Sequence, residues 1–261
     1  MDDQTSTVVD LQSRAVSLCD DPPAFFGFSN TRMHSIARTY LDQLQIQGLR
    51  YRFQGLRGRI AVLGRRADKL GVTELQVIDD VAPLLFEHTM YKSYPPSLLE
   101  QGKFKDINRW LSKLCAFDLS DIDVSGCRFI DDWIQVMDRD SPLKLIHSSG
   151  TSGTMSFLPT SKAEWDKFGR IQKVDFLQTF GAPDAEAGDE IWGIFPYFRY
   201  GANAFVRIND NVVKHIVGVE ERFFAAYPGR LSSDILYLSG RIRAAPRGWP
   251  DHRERGARLI T

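Results

Sequence analysis

The residues best suited to chemistry form one stretch, His147-Ser148-Ser149-Gly150-Thr151-Ser152-Gly153-Thr154-Met155-Ser156. The apolar run Leu143-Lys144-Leu145-Ile146 enters it and Met155 to Leu158 follows, so the pattern predicts strand, loop, strand. Glycine lets backbone N–H groups approach an anion with no Cβ in the way, and it tolerates positive φ. Serine and threonine hydroxyls add uncharged donors. Such a loop suits a polyphosphate. The phosphate loop of P-loop NTPases does not fit. It needs GxxxxGK and then Ser or Thr before a helix, whereas Gly150 and Gly153 lie closer together and no lysine follows. A GxSxG nucleophile elbow does not fit the spacing either. An amidase-type nucleophile, Ser148 or Ser152, stays open, but it requires a buried lysine base that the sequence does not single out. A plain Ser/Gly turn between strands is the remaining alternative.

The elements that must position this loop read as an α/β fold: a helical N-terminal region followed by a mixed β-sheet with flanking helices. Residues 1–27 carry little pattern, Asp20-Asp21-Pro22-Pro23 breaks any helix, and the segment reads as a loosely ordered lead-in. Residues 28–140 read as mainly helical. Ser29 or Asn30 caps a helix with Met33, Ile36, Ala37, Tyr40, Leu41 and Leu44 at helical spacing. Leu56, Ile60, Leu63, Ala67 and Leu70 mark a second helix. Leu98 to Phe117 is a third, with Trp110, Leu111 and Leu114 inside, and Phe129, Trp133, Ile134 and Met137 a short fourth. Between them, Tyr91-Lys92-Ser93-Tyr94-Pro95-Pro96 forces an extended turn. Residues 141–245 read as α/β, with strands at 143–147, 155–159, 190–195, 212–217 and 234–238 and helices at 161–179 and 219–226. Residues 246–261 read as a basic tail.

Composition narrows the function classes. Lys plus Arg and Asp plus Glu both number 33 in 261 residues, so the formal net charge is zero, which argues against a dedicated nucleic-acid binder. Seven arginines against Asp234, Asp251 and Glu254 from Arg230 onward read as a solvated surface. Cys19, Cys115 and Cys127 are widely spaced with no CxxC or Cys/His cluster, so no metal ligand set is read, and the usage suits a reducing compartment. His88 and His215 lack partners at ligand spacing, and Asp131-Asp132 and Asp121/Asp123 read as surface helix positions. No apolar signal core follows Met1-Asp2-Asp3-Gln4, and no run approaches the ~18 apolar residues of a membrane helix. A cytoplasmic, soluble chain with no membrane span is expected.

Ser148-Ser149-Gly150-Thr151-Ser152-Gly153 resembles, in order, the phosphate-binding signature of the ANL adenylate-forming superfamily, Ser/Thr-Ser/Thr-Gly-Thr-Ser/Thr-Gly-x-Pro-Lys. Met155 stands at the usual Pro and Ser156 at the usual Lys, which removes a point charge from the phosphates; Lys162 substitutes only if the strand geometry allows. The Ser-Phe-Leu-Pro that follows and the upstream Tyr91-Lys92-Ser93-Tyr94-Pro95 look most like the phenylacetate–CoA ligase and acyl-protein synthetase branch. The resemblance covers roughly residues 75–245 and implies an incomplete ANL large N-terminal domain over 28–261. It implies ATP held by Ser148, Ser149, Gly150, Thr151, Ser152, Gly153 and Ser156, with Mg2+, and an acid pocket bordered by Phe198, Arg199 and Gly201 within Ile194 to Ala202. Ile235 to Arg241 would be the strand and turn before the adenine site. The family's later glutamate, aspartate and mobile-domain lysine have no counterpart after residue 201, so no catalytic residue is assigned. Such a chain would be truncated, or would work with a complementary C-terminal chain.

Two functions follow from the resemblance. One is ATP-dependent activation of a carboxylic acid as its acyl-adenylate, with transfer to a thiol of CoA or a protein, by an acid–thiol ligase. The other is a non-catalytic, shortened or split-enzyme relative that binds a nucleotide or a partner chain.

Overall fold

The computed structural model describes residues 2–150, 153–179 and 191–245, with side chains described from Asp10 onward. Where a loosely ordered lead-in is expected, the chain forms helix α1 (Asp2–Asp20). The proline break falls where expected: α1 stops at Asp20, and the Asp21 carboxylate accepts from the Ala24 N–H to open α2 (Pro22–Phe25). Ser29 caps α3 (Asn30–Ser35) by accepting from the Arg32 N–H. The helix expected to run on through Leu44 is interrupted at Ile36 and Ala37, both extended, before α4 (Arg38–Arg57). The N-terminus is held because α1 lies along α4, where Gly48 faces the Cys19 sulfur. Helix α5 (Ala61–Leu70) closes a small core of Phe53, Ala67, Leu75 and Leu84.

The single helix expected over 98–117 is two, α6 (Ser97–Glu100) and α7 (Phe104–Leu111), with Gly102 between them. Helix α8 (Ile130–Asp140) follows. The main core lies under α7 and α8, where Trp133, Phe104, Ile107, Leu111 and Met137 are fully or almost fully buried. A polar clamp sits inside it: the Asn108 amide donates to the Leu119 carbonyl and its oxygen accepts from the Trp133 indole at 2.8 Å. That clamp satisfies the two buried polar side chains.

Strand β1 (Leu143–His147) pairs antiparallel with β2 (Phe157–Ser161), Leu143 opposite Ser161 and His147 opposite Phe157. Leu143, Leu145, Met155 and Phe157 enter the same core. Helix α9 (Lys162–Thr179) then opens with the Ser161 hydroxyl accepting from the Glu164 N–H. Strand β3 (Gly193–Gly201), helix α10 (Ala204–Val212) and strand β4 (Phe223–Leu231) form a parallel β-α-β unit, the connection that parallel strands require. A parallel bridge between His147 and Asn203 joins the end of this unit to β1. Helix α11 (Ser233–Ala244) ends the described chain. The architecture is mixed α/β with helix predominating.

Three expected elements are of the wrong type. Residues 212–217 are not a strand: α10 runs into a π-turn over Val213–Val217, because the β-branched run continues a helix capped by Asn203. Residues 219–226 are not a helix, since β4 begins at Phe223 and pairs with β3. Residues 234–238 are not a strand, since Ser232 caps α11 by accepting from the Ile235 N–H. Strand pairing overrides short-range propensity in the second case, and helix capping does so in the first and third. The basic tail of residues 246–261 lies outside the described residues.

Candidate functional site

The hydroxyl-rich segment closes the β1–β2 hairpin, and its neck is built from its own residues. The Ser148 N–H donates to the Ser156 carbonyl at 3.0 Å, and the Ser156 N–H donates to the Ser148 hydroxyl at 3.0 Å. Beyond the neck, Gly150 and Gly153 both take positive φ, +66° and +88°. The Gly153 N–H donates back to the Gly150 carbonyl at 2.9 Å. Left-handed backbone at both positions explains why they are glycines. Ser149 is exposed, Ser148 and Ser156 are half-buried, and Gly150 and Gly153 are buried. Thr151 and Ser152, the tip of the expected phosphate site, lie outside the described residues.

Other segments singled out in the sequence converge on this hairpin. The Tyr94 hydroxyl donates to the Met155 carbonyl at 2.7 Å, and burial pushes the phenol far up from 10.0. The His147 N–H donates to the Ala202 carbonyl at 3.0 Å, which brings the end of the 194–202 segment alongside. Helix α11 lies across the loop. A Cβ at Gly240 would run into the Gly150 carbonyl oxygen, and one at Gly153 into the Ala244 side chain. Burial, with the Glu100 charge, raises Tyr237 to about 12.

Several expected site residues are engaged elsewhere. The amides of Gly153 and Ser156 are used inside the loop, so they set its shape. Arg199 is buried and pairs with both Glu220 oxygens at 2.7 Å and with Asp210 at 3.4 Å, between the Tyr200 and Phe223 rings. The guanidinium holds Glu220 below its ordinary carboxylate range. Phe198 stacks on Tyr227 with ring centroids 4.9 Å apart, and Gly201 packs against Leu231 and Val206. Among the described residues, no hydrogen bond or ring contact of Phe198 or Arg199 reaches 148–156. Residues 235–241 belong to a helix, not to the strand and turn the resemblance implies. Lys162 begins α9 at the far end of β2, about 16 Å of strand from the loop, and cannot replace the missing lysine.

The sequence did not mark the buried polar cluster behind the loop. His147 is fully buried, with Nδ1 2.8 Å from the Ser148 carbonyl and Nε2 2.9 Å from the Ser233 hydroxyl. Asp131, read as a surface position, instead accepts from the Ser233 N–H and the Ser232 hydroxyl at the start of α11. Asp234 returns the arrangement, accepting from the Ile130 and Asp131 amides at the start of α8. Each helix N-terminus is therefore capped from the other helix. Burial raises the Asp234 carboxyl, the two amides oppose this, and the Asp131 and Asp132 charges add to the rise. The usable signal was Ser232-Ser233-Asp234, a helix-start pattern inside an apolar run.

The magnesium that the resemblance implies would need only one or two carboxylates beside the ATP phosphates. Glu100, beside the α11 residues that meet the loop, is paired with Arg241 at 3.0 Å and accepts from the Tyr237 hydroxyl. Among the described residues, no group of three His, Cys, Asp or Glu side chains could hold a metal ion. No helix among them is long and apolar enough to cross a membrane. A cavity of about 630 Å3 lies elsewhere, between Lys103–Asp106 and Ser120–Cys127, and none of the expected site residues lines it. No protein-family model matches the chain, no curated protein matches it, and no solved structure matches it.

Proposed function

We propose that the 148–156 loop receives the phosphates of ATP and that the chain serves acyl-adenylate formation. The observation that carries this reading is convergence. Tyr94 and α11, from distant parts of the chain, both meet the loop, and Ala202 bonds His147 at the foot of it. In this reading the hydroxyls of Ser148, Ser149, Thr151 and Ser152 donate to the β- and γ-phosphates. Ser148 accepts from Ser156 and keeps its own proton to give. A substrate carboxylate attacks the α-phosphorus, an acyl–phosphate bond forms, the α–β bridge breaks, and pyrophosphate leaves. A thiol of CoA or of a protein then attacks the acyl carbon, and AMP leaves. Stabilising the developing phosphate charge is the loop's role. No step is assigned to Mg2+, and no residue is named as catalytic.

A second reading is a nucleotide- or partner-binding module without turnover. The internal use of the Gly153 and Ser156 amides and the closure of Arg199 by Glu220 and Asp210 favour it. Thermal unfolding with and without ATP–Mg2+ tests both. Ligand at about 100 times its dissociation constant stabilises by about 2.7 kcal/mol. The absence of any shift removes both nucleotide readings and leaves only a partner-binding module. A shift that survives Ser149→Ala with Thr151→Val removes the site assignment. Pyrophosphate exchange with aryl and fatty acids then separates turnover from binding.

A further inference from the structure

We infer that His147 is a positioning residue for the hydroxyl loop, fixing its first residue and tying it to the N-terminus of α11. The inference rests on the phosphate-loop reading above. A carbonyl oxygen can only accept, so the contact to Ser148 assigns the ring proton to Nδ1. Nε2 is then the acceptor for the Ser233 hydroxyl. One neutral tautomer satisfies both partners. Burial, which outweighs the Ser148 carbonyl and the Asp131 charge, holds the ring below its ordinary 6.5, and Arg207 acts in the same direction.

The contacts continue past the ring. The Ser233 N–H donates to Asp131 at 3.0 and 3.2 Å, and Asp234 accepts from the first amides of α8. The two helices thus hold each other by their N-termini, and His147 joins that pair to the loop. Helix α11 also meets the loop at its other end, through Gly240 against the Gly150 carbonyl. The loop's own bonds at Ser148, Gly153 and Ser156 set its local shape. Outside contacts fix where it sits against the core, and His147 supplies one of them at the first residue.

Amide hydrogen exchange and ATP affinity on the whole chain test this, using His147→Asn, His147→Gln and Ser233→Ala. Asparagine keeps a donor where Nδ1 sits. Glutamine keeps only a group where Nε2 sits. Ser233→Ala cuts only the tie to α11. In His147→Gln, exchange at Ser148 and Ser156 should quicken about tenfold, as expected when one buried hydrogen-bond partner is lost. ATP affinity should fall by a similar factor, and the amides of Leu111 and Trp133 should not change. Ser233→Ala and His147→Asn, which both lose the tie to α11 while the contact to Ser148 is kept, should move in the same direction by less. Unchanged loop exchange in both His147→Gln and Ser233→Ala overturns the inference, and so does faster exchange with unaltered ATP affinity. If the wild type binds no ATP, the phosphate reading falls, and the exchange data alone still decide whether His147 holds the loop.

Discussion

The two strand pairs meet at the His147–Asn203 bridge and differ in how they are covered. In β1–β2, Leu143, Leu145 and Phe157 are 0% exposed, packed beneath α8 and α11. In β3–β4, Ile194 is 86% exposed and Phe224 and Tyr227 are more than half exposed, as is Trp192 just before β3. Parallel strands are usually covered on both faces, and a two-stranded sheet alone is marginal. Here α10 and the π-turn cover one face, where Phe195 meets Phe205 and Phe223 and where Gly193 admits the Phe223 ring. The loop with phosphate-binding spacing sits on the pair whose shape burial fixes. The residues expected to border an acid sit on the pair that one face leaves open. Among the described residues, a buried core lies under the hairpin that carries the loop, and the outer face of β3–β4 has no such cover.

Substitutions can break this comparison. Trp133 is the largest fully buried side chain and lies under the hairpin, so Trp133→Ala should cost about 3–5 kcal/mol in chemical denaturation. A cost under about 1 kcal/mol would mean the hairpin is not fixed by that core. Gly240→Ala comes next. The added methyl meets a backbone oxygen, which cannot rotate away, so a loss of about 1–3 kcal/mol is expected, with weaker ATP binding.

Acidity sharpens the same contrast at smaller amplitude. Burial depresses His147 and, with less cover, His215 below 6.5. The folded state binds these protons less readily than the unfolded chain, so their contribution is complete above 6.5 and is lost as pH falls through the depressed values. Unfolding free energy should decline with pH below 6.5, and the decline should be shallower in His147→Gln than in wild type. A steeper or equal decline contradicts the burial of that ring. Smallest of all, Ile194→Ser on the open face should change stability by no more than about 0.5 kcal/mol. A loss above about 2 kcal/mol would show that something covers the face in solution.

How much was legible follows the same division. Strand β1 is legible at its full span because Leu143, Leu145 and Ile146 form an apolar run buried under α8. Helix α9 is legible to within a residue because Ser161 caps it. The loop was legible from glycine and hydroxyl spacing, but its cover was not, since the Gly240 contact joins residues far apart in the chain. Ile235-Leu236-Tyr237-Leu238 looks extended by composition, and the cap at Ser232 outweighs it. Ala225-Ala226 looks helical, and pairing with β3 outweighs it. The resemblance implies a pocket role for Arg199, and neither Glu220 nor Asp210 announces itself as its partner in sequence.

Amide hydrogen exchange with and without ATP–Mg2+ puts the central claim to its most direct test. Binding at the loop predicts slower exchange across residues 148–156 and the start of α11, with the β4 amides from Phe223 to Leu231 unchanged. Unchanged exchange in 148–156, or protection confined to β3–β4, would contradict it.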